Sequence, residues 1–118
     1  MRPTVLVIEA RREVAAALEA VIESINLSAV VVPHLETLGD LEMTPAAILV
    51  RIAFESSGDP PHAAIKRLPG TRPPVVAIAW EEDEIAEARR LNCDVIIHAP
   101  NESWRLGETL RRLVQARA

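Results

Sequence analysis

A lone carboxylate, Glu9, follows the first apolar run of this chain, and a guanidinium, Arg51, follows the third. An arginine in such a place can bind an anion or a nucleotide phosphate, because it stays protonated and offers a fork of donors. No Gly-rich phosphate loop accompanies it, and the plain alternative is a side chain that points to solvent. His98 ends the fifth run, where it could touch a ligand or simply be packed or solvated. His34 and His62 stand near expected helix starts and are read as surface residues. The histidines show no close metal-ligand spacing, so no zinc site is expected. Cys93 is the sole thiol, and no histidine is evidently arranged to activate it, so an inert buried thiol is expected. Trp80 and Trp104 are the side chains best suited to binding another protein, since tryptophan is enriched at interface hot spots. The alternative is that each ring rests on local apolar side chains.

The elements that must hold these residues begin with five short apolar runs: 5–8 (VLVI), 29–32 (AVVV), 47–50 (AILV), 75–78 (VVAI) and 95–97 (VII). They are rich in β-branched residues and too short for helices, so each reads as a strand. They are continuous rather than alternating, the pattern of strands buried on both faces of a parallel sheet. Between them, residues 11–25 carry a helical stripe of Val14, Leu18, Val21, Ile22 and Ile25. Residues 34–41 read as a shorter helix, and 61–68 as a helix opened by proline. Residues 82–91 place Ile85, Ala88 and Leu91 on one face, with an acidic start and an Arg89–Arg90 end that suit the helix dipole. Residues 101–115 follow a cap at Asn101 or Ser103 and bury Leu106, Leu110, Leu113 and Val114. Strand and helix thus alternate five times, which predicts right-handed crossovers and an α/β, doubly wound parallel sheet. Ligands in such sheets sit beyond the carboxyl ends of the strands. That directs attention to residues 9–10, 51–59, 79–80 and 98–99.

The bulk composition narrows the function. The length of 118 residues predicts one domain over 1–118. Hydrophobic residues are 49% and aromatics only 3%, so Val, Ile, Leu and Ala must fill the core. A formal net charge of -4 disfavours a nucleic-acid partner, although Arg105, Arg111, Arg112 and Arg117 make the last helix partly basic. One cysteine excludes a disulfide framework within the chain. The first apolar run is too short for a signal peptide or a membrane span. A cytoplasmic protein without membrane association is expected.

Four of these runs, with their flanks, resemble the receiver domain of bacterial two-component response regulators, and the likeness extends over essentially the whole chain. Residues 4–10 (TVLVIEA) look like the family's first strand, which ends in two acidic residues. Residues 45–51 (PAAILVR) look like the third strand, which ends in the phosphate-accepting aspartate. Residues 74–80 (PVVAIAW) look like the fourth, which ends in Thr or Ser and a small residue, and residues 93–100 (CDVIIHAP) like the fifth, which ends in Lys-Pro. The resemblance implies a flavodoxin-like sheet with strand order 2-1-3-4-5. It also exposes the departures. The acidic pair is Glu9 and Ala10, the acceptor is Arg51, the hydroxyl position is Ala79, the lysine position is Ala99, and the aromatic switch position is Ile96.

Each departure removes a piece of chemistry. A guanidinium cannot act as the carboxylate nucleophile. A divalent metal needs clustered carboxylates, and Arg51 would repel it. Two alanines offer no donor to a phosphoryl group. The expectation is a degenerate receiver with no catalytic residue, metal or cofactor, working as a protein-binding module in bacterial signal transduction. Its partner would be a kinase, an output domain or another receiver. A Glu9–Arg51 ion pair would fix the domain in one state. The surface made by the fourth helix, fifth strand and fifth helix is the family's usual partner and dimer face, and Trp80, Ile96 and Trp104 are its candidates here. Two other readings remain: a receiver-like piece of a larger transcription factor or signalling enzyme, for which the stop just after the last helix leaves room, and a phosphate- or metal-handling enzyme in the same pocket.

Overall fold

A computed structural model describes residues 2–33, 44–54, 60–68 and 71–116. Five strands form one sheet: β1 (Thr4–Ile8), β2 (Ser28–Val32), β3 (Ala47–Arg51), β4 (Val75–Ala79) and β5 (Val95–His98). Each contains one of the apolar runs. All neighbours are parallel, in the order β2-β1-β3-β4-β5, as the alternation and the resemblance lead one to expect. Among the described residues the α-helices are α1 (Arg12–Ser24), α2 (Glu82–Arg90) and α3 (Leu106–Ala116).

The period-two geometry of the strands sends alternate residues into two cores. Val5, Val7, Leu49, Val76, Ile78 and Ile97 meet Leu18 and Ile22 of α1 and Leu106, Leu110 and Val114 of α3. Leu6, Ile8, Ile48, Val50, Val75 and Ala77 meet Ala64, Ile65, Ala88 and Leu91 on the opposite face. Covering both faces requires both residue parities to be apolar, which is why the strand runs are unbroken. Helices leave for the next strand through left-handed asparagines, Asn26 (φ 66) after α1 and Asn92 (φ 57) after α2. Asparagine tolerates that backbone region better than most residues.

Residues Pro61–Arg67 form the expected helix opened by proline, and it is of the 3-10 type. Prolines bound this segment in the sequence at 60, 61 and 69, and Leu68 before the last is extended (ψ 145), as the residue before a proline prefers. One helical expectation needs correction: the last helix starts late. A 3-10 turn, Ser103–Arg105, precedes α3, and neither Asn101 nor Ser103 is its N-cap residue, a place taken by Glu102. The expected helix over residues 34–41 lies outside the described residues. Among the described residues, no helix is long and apolar enough to cross a membrane.

The register aligns the carboxyl ends of the strands. Ile8 sits beside Val32 and Val50, Arg51 beside Ile78, and Ala79 beside His98. Glu9, Arg51, Ala79 and Ala99 therefore share one edge of the sheet.

Candidate functional site

Glu9 steps off β1 while its N–H still donates to the Val32 carbonyl (3.0 Å). Its side chain is only 2% exposed. A buried carboxylate needs donors, and it has them: Arg51 Nε donates to Oε2 (2.6 Å) and Arg51 Nη2 to Oε1 (2.9 Å). Oε1 also accepts from the backbone N–H of Arg11 (3.0 Å). The result is a two-pronged guanidinium–carboxylate contact in which Arg51 is itself largely buried, with 16% of its side chain exposed. Arg11 escapes a sequence reading of this site. The available signal was its place two residues after Glu9, at the start of α1, where its N–H is free of the helix ladder.

Residues 55–59 lie outside the described residues, and the rest of the described edge supplies little polar chemistry. Ala79 and Ala99 are buried methyls, and Ala10 is exposed. Among the described residues, no three His, Cys, Asp or Glu side chains come close enough to hold a metal ion. A divalent cation takes several oxygen ligands, and here Glu9 already holds a guanidinium. The described residues therefore do not fit the metal that a receiver-like fold implies.

His98 Nε2 lies 3.0 Å from the Trp80 carbonyl, and its backbone N–H donates to Glu102 Oε1 (2.9 Å). That N–H, together with Arg105, holds the Glu102 carboxyl below its usual range. The contact ties β5 to the turn ahead of α3. Glu84 Oε1 similarly accepts from the N–H groups of Trp80 and Glu81 (2.7 and 3.0 Å), which anchors the acidic start of α2.

His62 is not a surface residue as expected, because it is only 2% exposed. In a 3-10 helix, positions three apart eclipse, so His62 and Ile65 both turn inward. Its Nδ1 accepts a long hydrogen bond from Ala53 N–H (3.4 Å), and Phe54 meets its ring edge-on at 5.8 Å. Burial holds its pKa below the usual value, against opposing pulls from Glu87 and Glu84. His34 lies outside the described residues. Cys93 is half-buried, and burial pushes its thiol up to about 11, so little thiolate forms at neutral pH.

The two tryptophans are exposed, Trp80 by 49% and Trp104 by 75%. Ile96 packs on the α2 side of the sheet. Trp80 also borders a cavity of about 370 Å³ between α1 and the ends of β4 and β5, into which Arg11 and Arg51 face.

No protein-family model matches the chain, and no curated protein matches it. Solved structures do. A sensor protein from Polaromonas sp. JS666 superposes with a TM-score of 0.77 at 18% identity, covering 100% of both chains. A response regulator receiver protein from Pseudoalteromonas atlantica gives 0.78 at 13% identity, over 98% of this chain and 100% of the other. NtrX from Brucella abortus gives 0.74 at 16% identity, over 98% of this chain but 28% of the longer one. At these identities the likeness establishes the flavodoxin-like receiver fold.

Proposed function

We propose that residues 1–118 form one degenerate receiver-like domain that is not phosphorylated, is not an enzyme, and regulates a cytoplasmic signalling protein by binding it. The observation that carries this reading is the Glu9–Arg51 contact. Where the fold's active members keep an acceptor carboxylate and a metal, a guanidinium holds the remaining carboxylate in two hydrogen bonds. Ala10, Ala79 and Ala99 add no ligand or donor side chain. A domain without a phosphoryl switch must act through a surface, and the exposed Trp80 and Trp104 with Ile96 are its proposed elements. Partners of the kinase, output-domain or receiver class fit the fold, and a homodimer through α2, β5 and α3 is the self-association to look for. The net charge of -4 supports a protein partner over nucleic acid.

Amide NMR spectra with magnesium, then with magnesium plus beryllofluoride, test the reading. The expected result is no saturable shift. Shifts centred on Glu9, Arg51 and Ala79 would sink it. Pull-downs with Trp80→Ala and Trp104→Ala then locate the binding face. A second reading, a regulatory segment of a larger protein, draws on the NtrX likeness, where this fold spans only part of a longer chain.

A further inference from the structure

The cavity beside the ion pair has the character of a ligand site. Its walls are apolar: Val14, Leu18 and Val21 from α1, Ile78 and Ile97 from the sheet, and Leu106 from α3. Alanines at 17 and 99 also line it, and larger side chains there would take up part of the space. Val21 and Trp80, both partly exposed large apolar residues, border it. Its volume of about 370 Å³ lies within the usual range for small-molecule sites. At about 30 Å³ per water-sized group, it has room for about a dozen heavy atoms.

Charge specifies the ligand further. Among the described residues that line the cavity, the charged ones are Arg11 and Arg51. Glu9 holds Arg51 in two hydrogen bonds, while the exposed Arg11 brings its guanidinium to the cavity wall. We propose that the cavity binds a small amphipathic monocarboxylate, its apolar body between α1 and the sheet and its carboxylate against Arg11. This site stands independently of the signalling role.

Decanoate, with its single carboxylate on a short alkyl chain, is the probe. In an amide NMR titration it is expected to bind saturably with a dissociation constant of about 1 mM or tighter. The shifts should centre on residues 14–21 and on Trp80, Ile97 and Leu106. Decanol, which lacks the charge, should bind about ten-fold more weakly. Arg11→Gln, at an exposed position, should weaken decanoate about two- to five-fold. Ala17→Trp, also exposed on α1, should abolish those shifts while the rest of the spectrum is retained. Absence of saturable shifts overturns the proposal, as do shifts centred elsewhere or a folded Ala17→Trp variant that binds unchanged. Equal binding of decanol overturns the anionic assignment.

Discussion

At the residue scale, the Glu9–Arg51 contact is asymmetric in what its partners need. Removing the guanidinium strands a buried carboxylate that keeps only the Arg11 N–H among its described donors. Arg51→Ala is therefore expected to cost about 3–5 kcal/mol, read from the urea midpoint. Replacing both residues with methionine removes the charges together, and that double variant should fall within about 1 kcal/mol of the parent or exceed it. A single variant as stable as the double would show that the pair is not structurally coupled. His62 makes a second prediction. Its folded pKa lies below the ordinary 6.5, so the unfolded chain takes up the proton first. The stability linked to this group is complete above pH 6.5 and is lost as pH falls from there toward the folded pKa. Protonation would also cost Nδ1 its role as acceptor for Ala53 N–H. His62→Gln should flatten the slope of stability against pH in that window, measured by denaturation at several pH values.

At the element scale, α3 separates packing from binding. Leu110 is fully buried in the core that α3 shares with α1, and Leu110→Ala should cost about 2–5 kcal/mol. Trp104, in the turn just before the helix, is mostly exposed, so Trp104→Ala should change stability by less than about 0.5 kcal/mol while weakening partner capture. A large loss of stability from Trp104→Ala would mean that the ring packs rather than binds. The same contrast explains what could be read from the sequence. The strands were legible because burial on both faces forces unbroken β-branched runs, and α1 because its stripe repeats over several turns. The helix over residues 61–68 was legible from its opening proline, but its 3-10 type was not, because seven residues are too few to establish a period, and the inward turn of His62 follows from that geometry. The start of α3 was hidden because a single 3-10 turn before it leaves no mark in the apolar spacing. Within the site, the strand-end positions were legible. The cavity was not, since residues from α1, the sheet and α3 line it together.

At the scale of the whole molecule, the fold and the site obey different constraints. The sheet needs only apolar side chains of suitable shape in its two cores, so the architecture persists at identities of 13–18%. Ala10, Arg51, Ala79 and Ala99 sit at strand ends or just past them, where changing the chemistry leaves most of the core packing untouched. The strand order has a further consequence for how the molecule breathes. β1, β3 and β4 each have a partner on both sides, while β2 and β5 form the rims. In deuterium oxide, the interior amides of residues 5–8, 48–50 and 76–78 should exchange last, with opening free energies that converge on that of global unfolding. The rim amides of β2 should exchange earlier, through partial detachment of that strand. The most slowly exchanging part of the protein would then be a three-stranded ribbon that ends at the buried ion pair.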